Sequence, residues 1–186
     1  MTNFTKRMLA ESLKQLMLKK PLQKITVKEL VATCGVNRQT FYYHFHDIYA
    51  LLSWIYRSEA VAAISNISFS SWQEEIAFII DYLDNNRTFC SNTYRSLGKD
   101  YLERFLTDVF DTMLDQVLDS TEGADKLSAI DRQFIIRLYG YALSGVAQDW
   151  IGAGFKPAAE ILSNQICTSM EGTLVQMVNK FIPSTK

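Results

Sequence analysis

The sequence predicts an all-α fold, and three observations support that prediction. Apolar residues recur at the three- and four-residue spacing of a helix face along almost the whole chain. The 186 residues include only three prolines and eight glycines, so few positions interrupt a helix. The one stretch that alternates like a strand, residues 64–70, is short and isolated, and we expect a helix end or a loop there.

The N-terminal segment is predicted to begin with two helices. The first has an apolar face and ends before Pro21. The second begins in the stretch T-V-K-E, Thr26 to Glu29, which has the spacing of a capping box. In such a box the threonine side chain accepts from the Glu29 amide while the glutamate side chain reaches back. The second helix is expected to end at Cys34-Gly35.

Two further polar residues are placed to cap helices. Asn37 is expected to cap a short third helix, and Asp47 a fourth that runs on towards residue 65. The segment D-S-T-E-G-A-D, residues 119–125, is a predicted loop, and G-A-G-F-K-P, residues 152–157, ends one helix and begins another. Longer helices are expected near residues 71–86, 88–97, 99–120, 128–153 and 157–181.

The second and third helices, joined by a turn that contains Gly35, form a helix-turn-helix pattern. At about 100° per residue, Phe41 and Phe45 of the third helix fall on one side, where we expect them to enter the core. Gln39 and Tyr43 point to the opposite side. The aromatic residues of V-N-R-Q-T-F-Y-Y-H-F therefore divide into a structural pair and an outward pair.

The outward side chains have the chemistry of a major-groove contact surface. Arg38 projects from the open N-terminus of the third helix, and arginine and glutamine can each form two hydrogen bonds with one base, worth ~1–3 kcal/mol of discrimination. Thr40, Tyr42 and His44 are better suited to phosphates, which position a helix without specifying sequence. An exposed surface of tyrosine and arginine that binds nothing is the structural alternative.

The distribution of charge favours DNA contact by the N-terminal segment. Residues 1–46 hold eight basic and two acidic residues, a balance of +6, whereas the remainder holds eleven basic and eighteen acidic residues, a balance of −7. A basic segment attached to an acidic body suggests contact with a polyanion. A solvated, lysine-rich helix face is the alternative explanation.

The stretch I-T-V-K-E-L-V-A-T-C-G-V-N-R-Q-T-F-Y-Y-H-F resembles the DNA-binding segment of the TetR family of bacterial transcriptional regulators. The resemblance implies a helix-turn-helix domain at residues 1–46, a helical regulatory and dimerisation domain at residues 47–186, and a pseudo-palindromic double-stranded DNA operator. The residues expected to face bases are Arg38, Gln39 and Tyr43. The residues expected to contact phosphates are Thr26, Lys28, Asn37, Thr40, Tyr42, His44 and His46.

One position departs from the pattern of that family. Its members commonly have a lysine at the opening of the fourth helix, in a pattern like H-F-K-x-K. Here H-F-H-D-I places His46 and Ile48 at those positions. The phosphate contact that the lysine makes is therefore missing or passes to His46.

The resemblance also implies a homodimer whose interface is built from the last two long helices. The small residues of Y-G-Y-A-L-S-G-V-A, 139–147, would allow close approach of helices. Packing within one subunit is the alternative use of the same residues. The residues expected at the interface are Tyr139, Leu143, Val146, Ile166, Met170, Leu174 and Met177.

The C-terminal half resembles a subgroup of this family that includes activators of dihydroxyacetone kinase operons. The stretches N-R-T-F-C-S-N and Y-G-Y-A-L-S-G-V-A-Q-D-W-I-G-A-G-F carry the likeness. It implies an activator of such an operon that works with a coactivator related to the dihydroxyacetone-binding kinase subunit. The alternatives are a repressor released by a small-molecule effector and a helical scaffold that binds other proteins without contacting DNA.

The sequence argues against several other classes of protein. Catalytic and nucleotide-binding motifs are absent, and the two histidines, His44 and His46, both lie in the helix-turn-helix segment, so we expect no enzyme, metal or cofactor. The cysteines are three, widely spaced and unpaired in sequence, as in a reducing compartment. No apolar run is long enough for a membrane span or a signal peptide, so we expect a cytoplasmic protein.

Overall fold

A computed structural model describes residues 2–60 and 69–182 of the chain. The described residues contain ten α-helices and no strand, which confirms the all-α prediction. The predicted end of the fourth helix near residue 65 and positions 64–68 of the alternating stretch lie outside the described residues. The helices are α1 Thr2–Met17, α2 Val27–Cys34, α3 Arg38–His44, α4 Ile48–Ile55, α5 Trp72–Asn85, α6 Arg87–Tyr94, α7 Lys99–Asp119, α8 Ala129–Gly152, α9 Ala159–Met170 and α10 Thr173–Phe181.

The described residues group into two compact units. The first unit comprises residues 2–60 and 85–105, and the second comprises residues 69–84 and 106–182. The first unit thus contains the helix-turn-helix segment together with α4, α6 and the start of α7. The predicted domain boundary after residue 46 stays a prediction.

The core of the first unit is built from the apolar faces that the helical spacing predicts. Leu9 and Leu13 of α1, Leu30 of α2 and Phe41 of α3 are fully buried. Burial of side chains of this size contributes roughly 1.5–3 kcal/mol each. These contacts fix the angle between α2 and α3, which in turn fixes the surface that α3 presents.

Asn92 of α6 joins that helix to the end of α1. Its side-chain oxygen accepts a hydrogen bond from the Leu22 amide (2.7 Å), and its side-chain nitrogen donates to the carbonyl oxygens of Met17 (2.9 Å) and Lys20 (2.8 Å). The backbone groups that the end of α1 leaves unpaired are thereby satisfied from another helix. One side chain thus holds α6 to the helix-turn-helix segment.

In the second unit, the close approach of α7 and α8 depends on Gly140. A Cβ atom at that position would lie 2.0 Å from Oδ1 of Asp111. This oxygen is buried without a hydrogen-bond partner, and burial raises the pKa of Asp111, with Asp108 raising it further and Arg137 opposing both. The first glycine of Y-G-Y-A-L-S-G-V-A therefore serves contact within one chain.

The prediction of one helix over residues 157–181 is wrong, because the chain bends after α9. Glu171 leaves the helical conformation, and Gly172 takes a left-handed one (φ 72°), after which α10 begins. Glycine adopts that conformation without the penalty a side chain would add. The bend lets α10 contact α8: the Tyr139 hydroxyl lies 3.3 Å from Thr173 Oγ1.

Candidate nucleic-acid interface

The turn between α2 and α3 has the geometry that a helix-turn-helix requires. Gly35 follows α2 in the left-handed conformation (φ 71°), and the Val36 amide donates to the Val31 carbonyl (3.1 Å). A residue with a side chain would be strained at Gly35. Three residues therefore suffice to redirect the chain from α2 into α3.

Asn37 caps α3, as the sequence predicts. Its Oδ1 atom accepts from the Thr40 amide (2.8 Å) and from the Thr40 hydroxyl (3.0 Å). The cap stabilises the first turn of α3 by pairing one of its free amides. A helix of seven residues would be only marginally stable without packing and capping. The Thr40 hydroxyl hydrogen is thus engaged within the chain.

The two faces of α3 divide as the helical spacing predicts. Phe41 is fully buried and Phe45, just after the helix, is 6% exposed. On the other side Tyr43 is 79% exposed and Tyr42 is 56% exposed. Arg38 and Gln39 are exposed as well. The structure thus leaves all three residues predicted to contact bases exposed, with Gln39 and Tyr43 on the outward face and Arg38 at the start of the helix.

The remaining predicted phosphate ligands lie at the ends of helices. Thr26 and Lys28 are exposed at the N-terminus of α2, and His46 is exposed just before α4, with its Nε2 atom 3.1 Å from Asp47 Oδ2. His44 is half-buried, and its ring meets the Tyr43 ring edge to face at 4.9 Å. Helix N-termini carry unpaired amides and a positive dipole end, both favourable beside phosphate.

The capping box at α2 forms only in part. Thr26 Oγ1 accepts from the Glu29 amide (3.3 Å), as expected. The Glu29 carboxylate, however, forms an ion pair with Lys20. A charged partner from the turn after α1 has replaced the expected return bond to the backbone.

Sequence reasoning missed one cation that the fold brings to α3. The Lys6 ammonium lies over the Phe45 ring, 5.8 Å from its centroid. This cation–π contact places a positive charge from α1 beside the C-terminal end of α3. Only the basic composition of the first 46 residues pointed towards it, since the contact joins residues far apart in sequence.

Most of the residues predicted to form the dimer interface are buried within the chain, in contrast to the exposed residues of α3. Leu143, Ile166, Met170 and Leu174 are only 5–6% exposed within the chain itself. They pack in the core of the subunit, and their predicted place in a dimer interface stays a prediction. Tyr139 and Met177 are half-buried and Val146 is exposed.

A different face of α8 carries exposed apolar side chains. Ile130, Phe134, Leu138 and Tyr141 recur at intervals of four, four and three residues, so they fall within one quadrant of the helix. Gly145 continues this face, and a Cβ atom there would meet open space. We call these five residues the α8 stripe. Such a row on a water-exposed helix is typical of an interface with another chain.

Together, the capped α2–turn–α3 geometry and the polar, exposed face of α3 define a helix-turn-helix DNA-binding regulator. Two family models match the chain: residues 10–54 match bacterial regulatory proteins of the tetR family, and residues 70–172 match a transcriptional regulator C-terminal region. The chain belongs to the TetR family of transcriptional regulators. Regulators of this family bind DNA and act as dimers.

Individual relatives agree with this assignment. The chain is 29% identical over 153 residues, 81% of each chain, to the HTH-type dhaKLM operon transcriptional activator DhaS of Lactococcus lactis subsp. lactis (strain IL1403). Among solved structures it is similar to the dihydroxyacetone kinase operon activator DhaS, with a TM-score of 0.72 and 26% identity over 96% of this chain and 98% of that one.

A more distant structure shares the fold alone. The native NalD structure from Pseudomonas aeruginosa, the secondary repressor of the MexAB-OprM multidrug efflux pump, has a TM-score of 0.62 at 13% identity, over 100% of this chain and 99% of that one. All of these relatives are transcriptional regulators, and none is an enzyme. None of the described helices is long and apolar enough to span a bilayer.

Proposed function

We propose that this regulator activates a dihydroxyacetone kinase operon from within the cytoplasm. The observation that carries the proposal is likeness to DhaS activators, at 29% sequence identity over 81% of the chain and at a TM-score of 0.72 over 96% of it. The likeness covers both the DNA-binding segment and the C-terminal region, in which regulators of one fold differ most. A second protein, related to the dihydroxyacetone-binding kinase subunit, would act as coactivator and hold the small-molecule effector.

The proposed contacts with bases come from Arg38, Gln39 and Tyr43. All three side chains are exposed, Gln39 and Tyr43 lie on the outward face of α3, and Arg38 is the first residue of that helix, which supports this role. Phosphates would be held from the ends of α2, α3 and α4 and from the flanks of α3. The proposed phosphate ligands are Thr26, Lys28, Asn37, Thr40, Tyr42, His44 and His46.

We place the dimer interface on the α8 stripe. Its exposed Phe134, Leu138 and Tyr141 would leave water on association, and Gly145 offers room for a partner helix to approach. A two-fold dimer suits an operator with two half-sites, separated by roughly 34–36 Å or a multiple of one helical turn.

The proposed function is tested by footprinting and transcription on DNA upstream of dihydroxyacetone kinase genes. We expect protection upstream of the −35 element and transcription that rises only when the coactivator and dihydroxyacetone are both added. Protection across the promoter with reduced transcription would replace the activator with a ligand-released repressor. If Arg38→Gln with Lys28→Gln leaves all regulation intact, the chain is a protein-binding scaffold instead.

The division between base and phosphate contacts is tested with two substitutions on α3. Gln39→Ala should relax specificity at one base pair by ~1–3 kcal/mol, because a bidentate contact is lost. Tyr42→Phe should weaken binding to all sequences about equally. Affinity is measured on a panel of operator variants, with Gln133→Ala on exposed α8 as the control. Equal loss of specificity in both variants would contradict these roles.

The proposed interface is tested with two exposed leucines. Leu138→Lys puts a charge into the α8 stripe and should produce monomers that bind a full operator at least tenfold more weakly. Leu97→Lys, at an exposed leucine in the first unit, should leave the dimer intact. Mass and operator affinity are measured by light scattering and fluorescence anisotropy. A dimeric Leu138→Lys protein would place the interface elsewhere.

A further inference from the structure

A groove with a basic lining separates the end of α1 from α6, and no residue of α3 lines it. It has a volume of about 510 Å³ and lies wholly within the first unit. One wall is the end of α1 and the turn after it, with Lys19, Lys20 and Pro21. The other is the α6 face that carries Arg87 and Ser91 at four-residue spacing, continued by Arg95 in the turn that follows the helix.

The charged residues that line this groove are all basic. Four cations line it, namely Lys19, Lys20, Arg87 and Arg95, and no aspartate or glutamate does. Lys20 also forms an ion pair with Glu29 of the neighbouring α2. Beyond residue 46 acidic residues outnumber basic ones, so the two arginines do not simply follow the local composition.

The hydrogen-bonding groups define the class of ligand. Guanidinium and ammonium groups donate only, and the hydroxyls of Thr88 and Ser91 add further donors along the same wall. The planar fork of arginine matches the geometry of phosphate oxygens, and several cations favour a dianion over a monoanion. The volume is in the range of small-molecule sites.

From this arrangement we infer that the groove between α1 and α6 binds a small phosphate-bearing anion. The bound phosphate bridges Lys19 on one wall and Arg95 on the other, and it neutralises charge at both side chains. Asn92 lines the same groove and already ties its two walls together. A ligand here therefore acts directly on the joint between α6 and the helix-turn-helix segment.

Calorimetric titration of the full-length protein tests the inference at constant ionic strength. The probes are inorganic phosphate and glycerol 3-phosphate, with succinate as a dicarboxylate of similar size. We expect saturable binding of at least one phosphate probe and none of succinate. Saturation by glycerol 3-phosphate alone identifies an organic phosphate as the ligand, whereas equal affinities identify the free ion. Binding of succinate as tight as that of phosphate overturns the assignment.

Paired variants locate the binding. Lys19→Gln with Arg95→Gln removes one exposed cation from each wall and should weaken phosphate binding at least a hundredfold, roughly tenfold for each charged hydrogen-bonding group. Lys126→Gln with Arg104→Gln removes the same charge from exposed positions outside the groove and should change nothing. Equal binding by both double variants, or no binding by the wild type, overturns the proposal.

Operator affinity of the same variants separates this site from DNA contact. The groove variant should keep wild-type operator affinity and salt dependence in phosphate-free buffer. If it instead lowers affinity and reduces the salt slope, its cations contact the DNA backbone, and the phosphate site is refuted. Operator binding by the wild type also shows that the protein is active even if no phosphate binds, so the two proposals fail separately.

Discussion

Replacement of Asn92 by alanine should destabilise the first unit by about 2–4 kcal/mol. The substitution removes three hydrogen bonds of 2.7–2.9 Å, each with a net contribution of about 1 kcal/mol, and leaves backbone groups at the end of α1 without partners. A loss of this size is a large fraction of the ~5–15 kcal/mol that stabilises a typical domain. Urea unfolding followed by circular dichroism measures it, and hydrogen exchange of the Leu22 amide should accelerate.

Two further variants make this prediction refutable. Asn92→Asp keeps the acceptor for Leu22 but loses both donated bonds and sets a carboxylate oxygen against two carbonyl oxygens, so it should not restore stability. Asn179→Ala, at an exposed asparagine of α10, should stay within about 0.5 kcal/mol of wild type. If Asn92→Ala behaves like this control, or Asn92→Asp like wild type, the joint does not hold α6 as described.

Two predictions concern the second unit. Gly140→Ala should cost about 1–3 kcal/mol in thermal or urea unfolding, because the new methyl group would displace the Asp111 carboxylate, whereas Gly145→Ala, in open space, should stabilise the monomer by about 0.5–1 kcal/mol. Burial raises the pKa of Glu75, so the folded chain holds this proton more tightly than the unfolded chain. Stability should therefore rise as pH falls from neutral towards the ordinary glutamate pKa, and Glu75→Gln should remove this contribution. Unfolding curves across that pH range measure it, and an unchanged slope in Glu75→Gln would contradict the assignment.

Local signals in the sequence were sufficient for the helix-turn-helix segment. The caps at Asn37 and Asp47 and the left-handed Gly35 each act within three or four residues, so the pattern contains the whole interaction. The opposed faces of Phe41 and Tyr43 follow from helical period alone. These predictions agree with the structure because each interaction joins residues that are close in sequence.

For the C-terminal helices, the sequence did not show which surface covers the apolar residues. The row of apolar residues from Ile166 to Met177 predicts burial but does not say whether the covering surface belongs to the same chain or to a partner. Here the bend at Gly172 folds α10 back onto α8, and the same chain covers most of the apolar residues from Ile166 to Met177. Gly140 was open to the same ambiguity, and its role became clear only from the position of Asp111.

The Asn92 joint could not be predicted either, because its partners lie 70–75 residues away. This joint is nevertheless the feature that links α6 most directly to the DNA-binding helices. Since α6 and the helix-turn-helix segment share one compact unit, a displacement of α6 must carry the end of α1 with it or break three hydrogen bonds. At about 1 kcal/mol each, their loss equals roughly a hundredfold change in an equilibrium constant, which is within the usual range of coupling between two binding sites. A ligand or partner that moves α6 can therefore reset operator affinity without touching α3.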